Sequence, residues 1–141
     1  MKPGRLGSPA RPSVRVFAVD DHAAFLRTVA LVVDATEGFE LVGTAGSGPE
    51  ALAALTGQAA PDLLLVDVAM PGMTGLELAR HYHSDHRDDP EGARVILMSS
   101  YDARDLPNET LTDGAVAGFL PKSFLAPDTL RRIWVADATG T

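Results

Sequence analysis

Side chains that could carry out chemistry end or directly follow four short apolar stretches of the chain. Asp20 and Asp21 follow VRVFAV, Asp67 ends DLLLVD, Ser99 ends RVILMS, and Lys122 follows GFLP. A carboxylate can attack phosphorus as a nucleophile and form an acyl phosphate. Close carboxylates repel one another, so the set needs cations, which Lys122 and a hard divalent ion such as Mg²⁺ can supply. These residue types therefore indicate phosphoryl chemistry on a carboxylate, provided that the fold brings them together.

The elements that must position these side chains alternate between strand and helix patterns. The predicted strands are Val14–Val19, Phe39–Ala45, Asp62–Asp67, Arg94–Ser99 and Gly118–Leu120. The predicted helices are Ala23–Ala35, a helix that begins after the N-cap Ser47 and ends at Leu55, Gly75–His83, Ala103–Asp113 and Pro127–Asp137. Continuous apolar strands separated by helices predict a doubly wound α/β fold, with five parallel strands covered on both faces. The working residues of such sheets lie beyond the carboxyl ends of the strands, where the candidate side chains would converge.

Local signals refine two of the helices and one loop. Ser47 and Glu50 have the spacing of a capping box at the start of the second helix. Pro107 weakens the predicted helix Ala103–Asp113, because proline must lie in the first turn or break the helix. The segment Ser84–Gly92 is polar and acidic, and is predicted to be a loop.

Composition limits the classes of protein to which the chain can belong. Its 141 residues fit one domain, and the absence of cysteine excludes disulfides and thiolate metal sites. A net charge of −7 disfavours direct binding to nucleic acid. Residues 1–13 are predicted to be a disordered tail without the apolar run of a secretory signal, 14–137 the domain and 138–141 a C-terminal tail. No stretch is long and apolar enough for a membrane span, so the expected location is the cytoplasm.

The motifs around the candidate residues also resemble a known family. The stretch LLLVDVAMPGMTGLEL, which contains Asp67, resembles the phosphorylation segment of the receiver domains of two-component response regulators. AVDDH, VILMSSYD and GFLPKS resemble the other motifs of these CheY-like domains, and the resemblance covers about residues 14–136. The subgroup often followed by a LuxR-type helix-turn-helix is the most similar one. The resemblance implies a flavodoxin-like fold with strand order 2-1-3-4-5.

The resemblance also implies roles for the residues at the metal and phosphoryl site. Asp67 matches the phosphoacceptor and Lys122 the lysine that bridges to the phosphoryl group. Asp21 matches the direct carboxylate ligand of Mg²⁺, and Asp20 the carboxylate that acts largely through water. Ala69 matches the position whose backbone carbonyl coordinates the metal.

A switch and its partners are implied in the same way. Ser99 matches the switch hydroxyl and Phe119 the aromatic that changes rotamer on activation. The phosphoryl donor would be a histidine kinase or phosphotransfer protein. The output would pass through the face of helix 4, strand 5 and helix 5 to a second copy or a downstream protein. Such a chain is a signalling switch with partial self-catalysis rather than a turnover enzyme.

Three departures from the family pattern qualify these expectations. Ala69 and Tyr101 occupy the positions that flank the phosphoryl site, and neither offers an acid or amide to orient an attacking water. Tyr101 could also cover the acyl phosphate, so slow self-dephosphorylation is expected. Pro107 interrupts the helix that belongs to the output face. No helix-turn-helix follows within the 141 residues, which fits either a stand-alone receiver or one truncated before an output domain.

Several alternatives remain open at this stage. Asp67 could cap a strand end, and the domain could be a receiver-like scaffold that binds a partner without phosphorylation. An aspartyl-phosphate phosphohydrolase of the haloacid dehalogenase type would have a second acid two residues after the nucleophile, where Ala69 stands. The histidines at 81, 83 and 86, beside Asp85, could bind a metal but also fit a solvated helix end. A turn explains the glycines at 46 and 48 better than a phosphate loop.

Overall fold

Strands and helices alternate along the chain in the computed structural model, which describes residues 13–56, 60–86, 92–100 and 106–138. The elements in these ranges are β1 (Val14–Val19), α1 (Ala23–Asp34), β2 (Phe39–Ala45), α2 (Gly48–Leu55), β3 (Leu63–Asp67), α3 (Gly75–Asp85), β4 (Arg94–Ser99), α4 (Asn108–Thr112), β5 (Gly118–Pro121), a 3₁₀ turn (Lys122–Phe124) and α5 (Pro127–Ala138). Within the described part of the chain, no helix is both long and apolar enough to cross a bilayer.

The five strands form one parallel sheet in the order β2-β1-β3-β4-β5, which confirms the predicted fold class and strand order. Val19 pairs with Val66, and the next residue of β3, Asp67, pairs with Met98. Ser99 of β4 pairs with Pro121 of β5. The carboxyl ends of β1, β3, β4 and β5 therefore lie at one edge of the sheet, where the candidate residues begin.

Two apolar layers cover the sheet, one on each face. Successive side chains of a strand point to opposite faces, so Val16 and Ala18 of β1 pack with α1 and α5, while Phe17 and Val19 pack with α2 and α3. β3 is buried along its whole length, which explains its continuous apolar sequence.

Two predicted boundaries differ from the structure by more than one residue. α3 continues to Asp85, so Ser84 and Asp85 are helical instead of opening the predicted loop, while residues 87–91 of that loop lie outside the described part. The described part of α4 begins at Asn108, directly after Pro107, rather than at Ala103, which lies outside the described residues. Pro107 is extended, with ψ of 140°, as expected of a proline that precedes a helix instead of lying within it.

Two N-terminal caps fix the starts of helices on the α2–α3 face. The Ser47 hydroxyl accepts a hydrogen bond from the Glu50 N–H, as predicted, but the Glu50 carboxylate accepts from the Gly46 N–H and not from Ser47, so that half of the predicted box was wrong. A full capping box, which the sequence reasoning missed, joins Thr74 and Glu77 at distances of 2.9 and 3.2 Å. It fixes the start of α3 after the loop that follows Asp67.

Gly75 allows α3 to approach the end of β3. A Cβ atom at this position would lie 3.0 Å from the Cα of Val68 and closer still to the carbonyl oxygen of Asp67. The Gly75 N–H donates to the Val68 carbonyl at 3.0 Å. The backbone at Gly75 therefore packs directly on the backbone of Asp67 and Val68, and any side chain at position 75 would displace one of these two segments.

Gly75→Ala is expected to lower the free energy of unfolding by about 1–3 kcal/mol, because the added methyl group overpacks a backbone contact. Urea unfolding measures the change. Gly114→Ala is a matched control, since a Cβ at Gly114 meets nothing within 4 Å, and it is expected to stay within about 0.5 kcal/mol of wild type. Equal stability of the two variants would contradict the close-approach argument.

Candidate functional site

Three carboxylates meet at the carboxyl edge of the sheet. Asp20 directly follows β1 and is fully buried, and Asp67 ends β3 and is 4% exposed. One carboxylate oxygen each from Asp20, Asp21 and Asp67 and one ring nitrogen of His22 all lie within 4.8 Å of one another. The structure therefore brings together three acids that span 47 positions in sequence, from 20 to 67.

Lys122 provides the opposite charge. It is the first residue of the 3₁₀ turn after β5, and its side chain is 13% exposed. Its ammonium nitrogen lies 2.6 Å from Asp20 Oδ2 and 3.4 Å from Asp67 Oδ1. One cation thus bridges the acids that end β1 and β3, as the sequence predicts from the position of Lys122 after β5.

His22 holds the other oxygen of Asp20. Its backbone N–H donates to Asp20 Oδ1 at 2.8 Å, and its ring Nδ1 lies 3.1 Å from the same oxygen and 3.2 Å from Asp21 Oδ1. These contacts fix the Asp20 carboxylate, while the His22 side chain itself is 67% exposed.

The pKa of Asp67 is raised above its ordinary value. Burial is the main cause, and the charge of Asp20 adds to it. The charge and hydrogen bond of Lys122 and the backbone N–H of Ala69 act in the opposite direction, without cancelling the rise. The ionised form of Asp67 is therefore destabilised relative to a carboxylate in water.

The donor set fits Mg²⁺. Asp20 Oδ2 is buried and makes no directed hydrogen bond, although Lys122 pairs with it ionically. Three ionised carboxylates against one ammonium leave two negative charges uncompensated, and hard oxygen donors are the ligands that Mg²⁺ prefers. Asp20, Asp21 and Asp67 are thus suitable to hold the ion.

The structure describes three of the four remaining predicted site residues. Ser99, at the end of β4, is 2% exposed and directly follows Met98, which pairs with Asp67 in the sheet. Phe119 is half-buried in β5, pairs with Leu97 and packs against the core on the α2–α3 side. Ala69 is exposed, two residues after Asp67. Tyr101 lies outside the described residues.

The histidine run at the end of α3 forms a structural contact. His86 Nδ1 lies 2.9 Å from the Tyr82 carbonyl, and its ring stacks on that of Tyr82 with centroids 4.1 Å apart. Across the described ranges, the acidic site at the sheet edge is the only group of three or more such side chains close enough to share a metal.

One neighbour of the site escaped the sequence reasoning. The ring of Phe25, in the first turn of α1, lies beneath the ammonium of Lys122, with 4.4 Å between the nitrogen and the ring centroid. Phe25 and Lys122 are 97 positions apart, and nothing in the sequence distinguishes Phe25 from any other apolar residue of an amphipathic helix.

Comparisons with known proteins agree with the geometry. Residues 16–134 match the family model described as the response regulator receiver domain. The transcriptional regulatory protein MctR of Rhizobium johnstonii is 28% identical over 93% of this chain. The signal receiver domain of NarL from Mycobacterium tuberculosis superimposes with a TM-score of 0.74 at 30% identity, covering 93% of this chain and all of that one.

A second solved structure carries information about ligands. The response regulator TrrA of Thermotoga maritima, solved in complex with Mg²⁺–BeF, is similar with a TM-score of 0.67 and 28% identity over 85% of this chain and 96% of its own. The chain spans about half the length of the curated relatives it matches, including 58% of MctR.

Asp67→Asn is expected to raise the free energy of unfolding in metal-free buffer near neutral pH. A carboxyl whose folded-state pKa is raised opposes folding when ionised, so the gain should be largest above the folded-state pKa and vanish below the unfolded value of about 3.9. Urea unfolding across pH measures it. Exposed Glu37→Gln is the control and should change little.

Magnesium should reverse this order of stability. Ligand binding to the folded state stabilises wild type by about 2.7 kcal/mol when the free Mg²⁺ concentration is 100 times its Kd. Asp67→Asn should gain clearly less, while Glu37→Gln should gain as much as wild type. Equal gains in all three proteins would show that Asp67 does not contribute to the metal site.

Proposed function

The chain belongs to the family of response regulator receiver domains, and on that premise we propose that Asp67 accepts a phosphoryl group in a phosphorylation-dependent switch. Receiver domains of response regulators interact with histidine kinases and phosphotransfer proteins, and we propose a protein of this kind as the donor. The implied compartment is the cytoplasm. The observation that carries the proposal is the bridge from Lys122 to Asp20 and Asp67 within the acidic cluster.

Asp67 supplies the nucleophile. A carboxylate oxygen forms a bond to phosphorus while the bond from phosphorus to the donor's leaving atom breaks. With a phosphohistidine donor, the electron pair of that bond goes to the imidazole nitrogen, which then takes a proton from solvent. The transfer shifts negative charge over the phosphoryl oxygens, and the ammonium of Lys122 lies close enough to Asp67 to neutralise part of it.

A bound Mg²⁺ would supply positive charge beside the transferred group. We propose Asp21 and Asp67 as direct carboxylate ligands, Asp20 as a ligand acting through water, and the backbone carbonyl of Ala69 as a further ligand. Both oxygens of the Asp20 carboxylate already have a partner, His22 at Oδ1 and Lys122 at Oδ2, which supports a role through water for Asp20.

The output would travel through paired strands. Ser99 pairs with Pro121 and Leu97 with Phe119, so a movement of the Ser99 hydroxyl toward a phosphoryl group can pass directly to β5. Lys122 follows β5 and would move with the same event. We propose that Ser99, Phe119 and Lys122 bias the face of α4, β5 and α5 between two states, and that this face binds a downstream protein or a second copy.

One observation favours a second candidate function. The described α4 is only five residues long, and the resemblance places this helix in the output face. A phosphorylation-independent scaffold would tolerate such a change. The phosphohydrolase alternative has no such support, because the additional acids come from the end of β1 and the residue two after Asp67 is alanine.

Incubation with Mg²⁺ and acetyl phosphate should add the mass of one phosphoryl group to wild type and to Glu37→Gln, but none to Asp67→Asn. Mass spectrometry of the intact protein measures the additions. Labelling of Asp67→Asn to the wild-type extent would refute the acceptor assignment. Absence of labelling from wild type, together with no response to beryllofluoride, would favour the scaffold.

The phosphorylated state is expected to be long-lived, because Ala69 offers no group that could orient an attacking water. Ala69→Gln should shorten its half-life by about tenfold, which corresponds to ~1.4 kcal/mol of barrier. Ala53→Gln, at an exposed position of α2, is the matched control and should decay like wild type. Decay of wild type within seconds in Mg²⁺ buffer would contradict the expectation.

A further inference from the structure

The ammonium of Lys122 has a third neighbour besides the two carboxylates, the ring of Phe25. We propose that Phe25 is a positioning residue whose ring face holds the Lys122 ammonium over Asp67 for phosphoryl transfer. The nitrogen lies 4.4 Å from the ring centroid, well inside the distance at which a cation is attracted by an aromatic face. This inference rests on the proposed function of Asp67 and adds to it a residue for which the family resemblance implied no role.

The contact comes from a part of the fold that is itself fixed. Phe25 lies in the first turn of α1, and two later residues of that helix, Val29 and Val33, are completely buried against the sheet. The ring packs at the edge of the same apolar layer. Its position is therefore set by the core, whereas the lysine that it contacts has four rotatable bonds in its side chain.

The Phe25 ring differs from the two carboxylate partners of Lys122 because phosphorylation of Asp67 leaves the ring chemically unchanged. When a phosphoryl group joins Asp67, the ammonium must exchange carboxylate oxygens for phosphoryl oxygens. Asp20 and Asp67 both take part in that exchange, while Phe25 carries no charge and binds no metal. The ring can hold the ammonium before and after the transfer, and so limits the lysine conformations that must be lost in the transition state.

The surroundings favour an electrostatic contribution beyond packing. Phe25 and Lys122 line one groove together with His22, Ala24, Thr28 and Ser100. Lys122 is largely buried there, and a cation–aromatic contact strengthens when water is excluded from the cation. A leucine at position 25 would fill similar apolar space without an aromatic face. The packing of the side chain and its cation–aromatic contact with Lys122 can therefore be tested separately.

The test compares Phe25→Leu with Phe25→Tyr in the full chain. Phe25→Leu is expected to weaken the affinity for beryllofluoride in saturating Mg²⁺ by about two- to fivefold and to slow labelling by acetyl phosphate to a similar degree. Phe25→Tyr keeps an aromatic face and should restore both values to within about twofold of wild type. Phe124→Leu, which alters an exposed phenylalanine, is the matched control and should leave both unchanged.

A double-mutant cycle with Lys122→Met separates positioning from packing. The labelling rate by acetyl phosphate is the readout, because it can be followed over a wide range. If Phe25 acts through Lys122, Phe25→Leu should have no further effect in the Lys122→Met background. An equal effect in both backgrounds, or failure of Phe25→Tyr to restore the rate, would overturn the positioning role. Urea unfolding checks that all variants are folded.

Failure of the inference is distinguishable from failure of the proposed function. If wild type is labelled on Asp67 and Phe25→Leu behaves as wild type does, only the role of Phe25 is wrong. If wild type itself is neither labelled nor responsive to beryllofluoride, both are wrong.

Discussion

The concentration of like charge at one edge of the sheet is the constraint on which the rest of the structure depends. Asp20 and Asp67 are buried close to each other, and burial together with their mutual repulsion raises the pKa of Asp67. The ammonium of Lys122 and, to a smaller extent, the backbone N–H of Ala69 oppose this rise. The apolar layers on both faces must therefore hold together a group of charges that would separate if the chain were free.

Strand order decides which residue types can meet this constraint. β1 and β3 are neighbours, so short acids at their ends already lie side by side. β5 is separated from β3 by β4, about 10 Å in all at the usual strand spacing. A long side chain is needed to cross that distance, and Lys122 provides one. β4 ends in Ser99 and is followed by Ser100, and the small side chains of both residues leave room for it.

Much of this arrangement could be predicted, because it follows from apolar runs and from the geometry of parallel sheets. The bounds of β1, β2 and β4 agree with the prediction, and those of β3 and β5 differ by one residue. The convergence of the acids and Lys122 followed from the same rule.

The contact of Phe25 with Lys122 could not be predicted, because it joins a helix and a turn whose relative position emerges only from packing. Gly75 is a similar case, since sequence shows a glycine but not which backbone approaches it. The Thr74–Glu77 capping box, by contrast, has a sequence signal in the spacing of its two residues.

The same charge imbalance explains how the site can drive a conformational change. A modification shifts a two-state equilibrium only by as much as its interactions differ between the states. Lys122 is held by Asp20 and Asp67, so a new anionic group at Asp67 would compete directly with Asp20 for the same ammonium. A movement of Lys122 toward the new group would act on β5, which it directly follows, and Ser99 is paired with the end of that strand. The proposed switch therefore needs no separate coupling device, because Lys122, which neutralises the site, is bonded directly to the last residue of the strand that would report its state.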